Sequence, residues 1–230
     1  HTALVERGEA VGLLYASEAT IYGRYGYAPG TRNTDWTVNP RAARVHGEPV
    51  GTVELMAPSA AARDLIRSVH DTWRVRQAGE IWRRDISWDL GLGLVDEVWG
   101  ERWKGWLILH RDASGVADGY ARYKADPKWV DHLPQGVLQV NELCALTDGA
   151  YADLVRFLLA VDLVGSVRLE GRREREHLPW LLSNIRAANQ VDAGDALWVR
   201  LFDVSRAMEA RTYEREASLV LEVTDDGARG

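Results

Sequence analysis

The sequence predicts an α+β fold, in which helices pack against a sheet. Over residues 50–212 the predicted elements are a strand, two helices, a hairpin, a strand, a helix, a strand, a helix, a strand and a short last helix. The 230 residues are 46% hydrophobic and 27% charged, which is ordinary globular usage and leaves enough chain to bury a core.

The first forty residues predict the last part of a unit of the same kind. His1–Arg7 is typical of a helix end that Gly8 closes, and "AVGLLYAS" predicts a short buried strand. Ser17 is predicted as the N-cap of the helical turn "EATIY", and "TDWTVNP" predicts a further strand. We expect the front of this unit to lie upstream of His1, because the chain begins without Met in what looks like the middle of a helix.

Two helices are predicted next, each with an apolar residue at every fourth position. Ser59 is the expected N-cap of the first helix, and "GEIWRRDISWDL" is the second. The expected buried stripes are Ala61, Leu65, Val69 and Trp73 in the first and Trp82, Ile86 and Leu90 in the second.

The remaining elements follow from turn residues and short apolar runs. "DASG" predicts the turn of a hairpin, and "GVLQVNELCALT" predicts a strand that leads directly into a helix capped by Asp148. That helix has an apolar face of Leu154, Phe157, Leu158 and Val161. The later predictions are strands at "GSVRLEG" and "DALWVRLFDVS", helices at "LPWLLSNIRAA" and "SRAMEARTY", and a strand from Ser218.

Composition and charge argue against several classes of protein. The net charge is −6 without a basic stripe, which argues against a nucleic-acid partner and suits a cationic substrate. No apolar run approaches the roughly 20 residues that span a bilayer, so we expect no membrane partner. The single cysteine, Cys144, forms no internal disulfide, which predicts a reducing, cytoplasmic location and a buried, unreactive thiol.

Three patterns that resemble ligand sites carry little weight. "GLGLVD" lacks the third glycine of a dinucleotide loop and the Gly-Lys-Ser/Thr of a P-loop. The six histidines show neither HExxH nor HxxxH spacing, so we expect no metal site. At the strand-to-helix junction before Tyr151 the acid Asp148 would repel an anion, so this junction is predicted to be structural.

The tyrosine segment, "ASEATIYGRYGYAPG" (Ala16–Gly30), holds three tyrosines and three glycines in fifteen residues. A tyrosine, with an ordinary pKa of about 10, can protonate a departing thiolate in acyl transfer from a thioester. Close aromatic packing within a glycine-rich turn explains the same residues and, from chemistry alone, is the favoured interpretation. From the residues alone both interpretations stay open.

Four segments together resemble the enhanced-intracellular-survival (Eis) proteins of actinobacteria, acetyltransferases of the GNAT superfamily. They are "YASEATIYGRYGYAPG", "WTVNPRAARV", "HLPWLLSNIRAANQ" and "LWVRLFDVSRAMEARTY", and with them the resemblance extends along essentially the whole chain. The resemblance implies a GNAT-like mixed sheet with flanking helices.

The resemblance also implies three domains. Residues 1–45 would be the C-terminal part of a first, catalytic GNAT domain, and residues 46–213 a second, degenerate GNAT domain. Residues 214–230 would begin a domain that resembles sterol carrier proteins. The scarcity of glycines from Asp148 to Tyr151 agrees with a second domain that no longer binds the cofactor.

The implied reaction is acetylation of an amine. Acetyl-CoA, as co-substrate, would donate its acetyl group to amines of aminoglycoside-like substrates, with lysines of proteins as an alternative acceptor. The tyrosine matching Tyr22 would be the general acid that protonates the CoA thiolate, and Ser17 would lie beside the cofactor. Trp88, placed by its spacing from Trp73, would line the substrate pocket. Members of the family form hexamers, so we expect a homo-oligomer.

Two parts of the implied machinery fall outside these residues. The pyrophosphate loop is expected upstream of His1, and the terminal carboxylate assigned as the base about a hundred residues beyond Gly230. We therefore expect the 230 residues alone to be inactive. A rival hypothesis is a non-catalytic binding or assembly module.

Overall fold

A computed structural model describes residues 2–97 and 100–224 of the chain. The helices are α1 Thr2–Glu6, α2 Ala19–Gly23, α3 Ala60–Arg74, α4 Asp85–Gly91, α5 Asp148–Leu159 and α6 Val204–Glu209. The strands are β1 Val11–Tyr15, β2 Ala28–Pro29, β3 Arg32–Val38, β4 Thr52–Met56, β5 Trp106–Arg111, β6 Ala117–Asp126, β7 Trp129–Val130, β8 Leu133–Pro134, β9 Gly136–Ala145, β10 Val164–Arg172, β11 Ala188–Asp195 and β12 Leu197–Leu201. Two 3-10 turns, Leu178–Leu181 and Ile185–Ala187, lie between β10 and β11.

The chain divides into two compact units. The first unit combines His1–Asn33 with Gly194–Gly230, and the second is Thr34–Ala193. Residues 34–45, predicted with the first domain, therefore belong to the second unit, and residues 194–213, predicted with the second domain, belong to the first. The cause is strand pairing, because β3 pairs with β10 whereas β12 pairs with β1 and β2.

The first unit is built on a three-stranded antiparallel sheet in the order β1-β12-β2. Strand β12 is the middle strand, with Val11 opposite Leu201 on one side and Pro29 opposite Trp198 on the other. Helix α1 precedes β1 and ends before Gly8, whose φ of 71° lies in the left-handed region that glycine favours. This sheet fixes both ends of the tyrosine segment.

The second unit is built on a seven-stranded mixed sheet in the order β11-β3-β10-β9-β6-β5-β4. Strands β9 and β10 are parallel, and the pairs on either side of them are antiparallel. Alternate residues of a strand face opposite sides of a sheet, so Ile108 joins the apolar cluster under α5 while Leu107 and Leu109 join the cluster under α3 and α4. The α+β prediction, with its mixed sheet and flanking helices, is confirmed.

Periodicity placed most helices and strands correctly. Ser59 caps α3 by accepting a hydrogen bond from the Ala62 N–H at 3.1 Å, and the hairpin around "DASG" joins β5 to β6. The buried residues of α3 are Ala62, Ile66, Val69, His70 and Trp73. Of the predicted stripe, Val69 and Trp73 in the C-terminal half of the helix are therefore buried. Cys144 is buried as predicted, and burial raises the pKa of its thiol.

The helix predicted over "GEIWRRDISWDL" is shorter than predicted, and it buries a different face. It begins at Asp85, so Trp82 lies outside it, and both Trp82 and Ile86 are exposed. The buried residues are Trp88 and Leu92, which pack with α3. Apolar residues occur on two faces of this segment, and contact with His70 selects the face that contains Trp88.

Tertiary hydrogen bonds replace the helix predicted at "LPWLLSNIRAA" by two 3-10 turns. The Leu181 carbonyl accepts from the His46 N–H and the Ser183 N–H donates to Arg44, both at 2.9 Å, so these groups are unavailable to a continuous helix. Two predicted caps were also wrong. Thr147, rather than Asp148, caps α5, and Glu18, rather than Ser17, precedes α2.

The strand predicted from Ser218 is absent from residues 218–224, because no strand of the described chain pairs with them. Residues 225–230 of that prediction lie outside the described residues. The start of a sterol-carrier-like domain stays a prediction.

Candidate active site

The tyrosine segment crosses from β1 to β2 through the one-turn helix α2. After β1 ends at Tyr15 the chain bends at Ser17, forms α2 and then turns again at Gly26. The Tyr22 carbonyl accepts hydrogen bonds from the N–H groups of Tyr25 at 3.0 Å and Tyr27 at 3.2 Å. The turn after Tyr22 is therefore closed by the backbone of Tyr22 itself.

The rings of Tyr22 and Tyr27 pack edge to face. Their centroids are 6.5 Å apart and their planes are inclined by 79°. Tyr27 in turn lies against Gly12 of β1, where an added Cβ would come within 2.7 Å of Tyr27 Oη and 2.9 Å of the Phe202 ring. The absence of a side chain at Gly12 thus lets Tyr27 support Tyr22.

Arg200 of β12 binds the backbone in the middle of the tyrosine segment. Its side chain is buried, its Nη1 donates to the Tyr25 carbonyl, and its guanidinium lies 5.5 Å from the centroid of the Phe202 ring. Gly26, with a φ of 77°, provides the left-handed backbone that this approach requires. Tyr25 itself is 45% exposed, so the aromatic packing in this segment is between Tyr22 and Tyr27.

The Tyr22 side chain is half-buried, and its hydroxyl makes no hydrogen bond to any other described residue. Ser17 is exposed between β1 and α2, and its hydroxyl likewise makes no hydrogen bond within residues 2–97 and 100–224. Both side chains lie in the first unit, and both can hydrogen-bond a ligand that reaches the segment between β1 and β2.

Trp88 lies in the second unit and is only 3% exposed. The His70 ring packs on its edge with centroids 5.1 Å apart, and the Arg83 guanidinium covers its face at 5.0 Å. A substrate would meet the Trp88 ring only after Arg83 moved aside.

Arg83 also belongs to a buried charge cluster that sequence patterns do not indicate. The Glu142 carboxylate accepts from Arg83 Nη1 at 2.6 Å, Tyr120 Oη at 2.7 Å and Arg122 Nε at 2.9 Å. Burial alone would raise the pKa of the Glu142 carboxyl, but Arg122, Arg83 and the Tyr120 hydrogen bond outweigh it and lower that pKa to about 2. The cluster fixes the loop before α4 to the sheet.

The junction between β9 and α5 does not fit a coenzyme pyrophosphate. Asp148 places a carboxylate in the first turn of α5, and a Cβ on Gly149 would lie 2.6 Å from Cγ2 of Val50. Val50 is held there because its N–H donates to the Asp153 carboxylate at 2.9 Å. The Asp148 carboxylate and the Val50 side chain therefore occupy the space in which phosphate oxygens would need to approach free backbone N–H groups.

Comparison with known proteins identifies the family. Residues 75–201 match the model of the acetyltransferase (GNAT) domain, which is more than half of the chain. The chain belongs to the GNAT acetyltransferase family. It is Eis-like within that family, as the tyrosine segment and the other matching segments indicated.

Relatives of this GNAT chain are similar over nearly its whole length. An uncharacterized N-acetyltransferase from Streptomyces griseus is 39% identical over 97% of the chain and 56% of its own length. The N-acetyltransferase Eis of Mycobacterium tuberculosis is 33% identical over 99% of the chain and 56% of its own length. The chain therefore spans a little over half the length of the curated relatives that it matches.

Two solved structures share the fold. Eis1 from Mycobacterium abscessus is 31% identical with a TM-score of 0.75, covering 94% of the chain and 54% of Eis1. A GCN5-related N-acetyltransferase from Anabaena variabilis has a TM-score of 0.80 at 18% identity over 98% of the chain and 55% of its own, and shows the fold alone.

Acetyltransferases of the GNAT family use acetyl-CoA as the acyl donor. No helix among the described residues is both long and apolar enough to span a membrane.

Proposed function

We propose that the protein carrying this chain transfers the acetyl group of acetyl-CoA to an amine of a small cationic, aminoglycoside-like substrate, with Tyr22 as the general acid. The observation that supports this is the half-buried Tyr22 side chain, whose hydroxyl makes no hydrogen bond to other described residues, in a chain of GNAT ancestry. The substrate class is inferred from the resemblance to Eis and from the net charge of −6, which attracts cations.

The proposed step is an aminolysis of the thioester. The amine nitrogen forms a bond to the acetyl carbonyl carbon while the carbon–sulfur bond breaks. Tyr22 donates its proton to the departing sulfur, and the amine loses a proton to a base, which we assign to the terminal carboxylate of the full-length protein. Tyr22 then regains a proton, so that one amide and one thiol are formed for each acetyl group transferred.

Ser17 would contact the coenzyme from the end of β1, since it is exposed beside α2. Trp88 would contact the substrate only in a state in which Arg83 has left its ring. The domain roles implied by the resemblance, a catalytic first domain and a second domain without cofactor, are part of this proposal, as are the cytoplasmic location and the hexamer. Light scattering of the full-length protein tests the hexamer directly.

The test is Tyr22→Phe in the full-length protein. We expect kcat to fall by roughly 10²-fold or more, the usual contribution of general acid–base catalysis, while the KM for acetyl-CoA changes by less than about threefold. The measurement is thiol release from acetyl-CoA with an aminoglycoside as acceptor. Tyr15→Phe is the matched control, because Tyr15 is an exposed tyrosine at the end of β1 and should leave kcat unchanged.

An unchanged kcat in Tyr22→Phe would remove Tyr22 from the reaction. The same assay with a lysine peptide as acceptor tests the substrate class. Faster turnover of the peptide than of the aminoglycoside would replace the small-molecule assignment by a protein-lysine one and would leave the role of Tyr22 intact.

A further inference from the structure

The second unit contains a cavity of about 300 Å³ between the ends of β9 and β10, a volume at the lower end of the range for small-molecule sites. Three aromatic side chains line it, Trp73 from α3, Tyr151 from the first turn of α5 and Trp180 from the first 3-10 turn. Trp180 is exposed and Trp73 is buried, so the cavity leads from the surface toward the core.

Separation of two parallel strands opens this cavity. Strands β9 and β10 pair in register from Val137–Ser166 to Val140–Leu169, and no pairing between them follows. Both strands nevertheless continue, β9 to Ala145 and β10 to Arg172, and both ends line the cavity. The register of β10 against β3 also shifts between Leu169 and Arg172. The fold thus presents Arg172 to a space between two strands.

Arg172 is a buried cation whose hydrogen-bonding capacity is incompletely used. The residue is 8% exposed, and its Nη1 donates to the Leu143 carbonyl at 2.8 Å. Its Nε is buried without a hydrogen bond within the described chain, and lies 3.4 Å from Oε2 of Glu176. A guanidinium has five N–H donors, and buried donors are rarely left without acceptors in native proteins.

Glu176 shows that a carboxylate can face Arg172 in this cavity. Its side chain is 5% exposed, and its carboxylate receives a hydrogen bond from Tyr151 Oη at 2.5 Å while facing Arg172. The chain therefore already holds a carboxylate at this place. The remaining charges on the cavity wall are Arg173, which lies 5.9 Å from the Trp73 ring centroid, Arg175 and the single acid Asp148. Three arginines against two acids favour an anion over a cation.

We propose that this cavity binds a small aromatic carboxylate, with the carboxylate on Arg172 and the ring against Trp73 and Trp180. Glu176 competes with the ligand for Arg172, and this competition sets the affinity of the cavity for the ligand. Asp148 also lines the cavity, but Arg173 and Arg175 outnumber it there. This site is independent of the proposed role of Tyr22, and its test measures binding rather than turnover.

The test is calorimetric titration of the full-length protein with 2-naphthoate and with its neutral analogue 2-naphthamide. We expect saturable binding of naphthoate at least tenfold tighter than that of naphthamide, the difference expected for one charge-assisted hydrogen bond. Arg172→Gln should abolish this preference. Trp180→Ala should weaken naphthoate several-fold, whereas the matched control Trp129→Ala should leave it unchanged, because Trp129 is also exposed but does not line the cavity.

Glu176→Gln gives the sharpest result, since it removes the competing charge and keeps the side-chain shape. We expect naphthoate to bind about tenfold more tightly to this variant and naphthamide to bind as before. Equal affinities for the two probes in the native protein, or weaker naphthoate binding in Glu176→Gln, would overturn the proposal. If Arg172→Gln does not fold, as judged by its thermal unfolding, the Trp180 and Glu176 variants decide the question alone.

Discussion

Among single residues, Glu142 illustrates how burial and pairing together set a charge. Its carboxylate is buried and is held by two arginines and a tyrosine hydroxyl. Replacement of one partner would leave an uncompensated charge in the core, which is costly, so the cluster stabilises this fold only when it is complete.

Glu142 predicts an acid-dependent loss of stability. Its folded-state pKa of about 2 lies below the ordinary value of a glutamate, so its contribution is fully present above about pH 5 and is lost as the pH falls toward 2. The contribution is of the order of 3 kcal/mol. Urea unfolding of the native protein and Glu142→Gln at pH 6, 4 and 3 should show a difference in unfolding free energy that shrinks with falling pH.

That comparison isolates the carboxyl, because both proteins share every other titrating group. A difference between them that stayed constant from pH 6 to pH 3 would show that the ionised form of Glu142 is not what stabilises the fold.

Among elements, the tyrosine segment depends on two strands that sequence patterns do not connect with it. Gly12 of β1 leaves room for Tyr27, and Arg200 of β12 binds the Tyr25 carbonyl. Tyr27 packs edge to face beside Tyr22 and so supports the orientation of its ring. The position of the proposed acid is therefore a property of the three-stranded sheet rather than of α2 alone.

Gly12→Ala tests this dependence. The new methyl group would lie 2.7 Å from Tyr27 Oη and 2.9 Å from Phe202, so both rings must shift. We expect unfolding free energy to fall by about 1–3 kcal/mol, as in other overpacked sites, and kcat of the full-length protein to fall at least several-fold. Urea unfolding and thiol release are the measurements.

Gly23→Ala is the matched control, because no atom lies within 4 Å of an added Cβ there and alanine favours a helix. It should leave stability and kcat unchanged or slightly raised. If Gly12→Ala proved as harmless as Gly23→Ala, the packing of Tyr27 on β1 would have no part in placing Tyr22.

Local patterns predicted an element correctly where a single apolar face of the segment determines which residues are buried. The apolar spacing of α5 and the "DASG" turn required no information from elsewhere in the chain. The pattern failed at Trp82, because two faces of that segment are apolar. It also failed at Leu178–Leu181, because backbone groups distant in sequence form hydrogen bonds there. Ser17 and Tyr22 were predicted from resemblance, whereas Arg200 and Gly12 act across a sheet whose pairing no local pattern encodes.

For the whole molecule, the two units differ in how the chain builds them. The second unit is one continuous stretch, Thr34–Ala193, and both of its apolar clusters lie within that stretch. The first unit needs two stretches that the second unit separates.

We therefore expect residues 34–193 expressed alone to fold cooperatively, with an unfolding free energy in the usual range of about 5–15 kcal/mol. Urea unfolding followed by near-ultraviolet circular dichroism, to which the buried Trp73 and Trp88 contribute, should give a single sigmoidal transition. A gradual, non-cooperative change would show that the seven-stranded sheet requires residues of the first unit.

The middle strand of the small sheet, β12, is the last of its three strands to leave the ribosome. Domains usually fold as units during synthesis, beginning at the N-terminus. Here the order is reversed, because β1 and β2 emerge early but have nothing between them until residues 197–201 arrive. The segment with Tyr22 is thus assembled only after the entire second unit has been translated, and a nascent chain interrupted before Leu197 would contain Tyr22 without the strand that holds it.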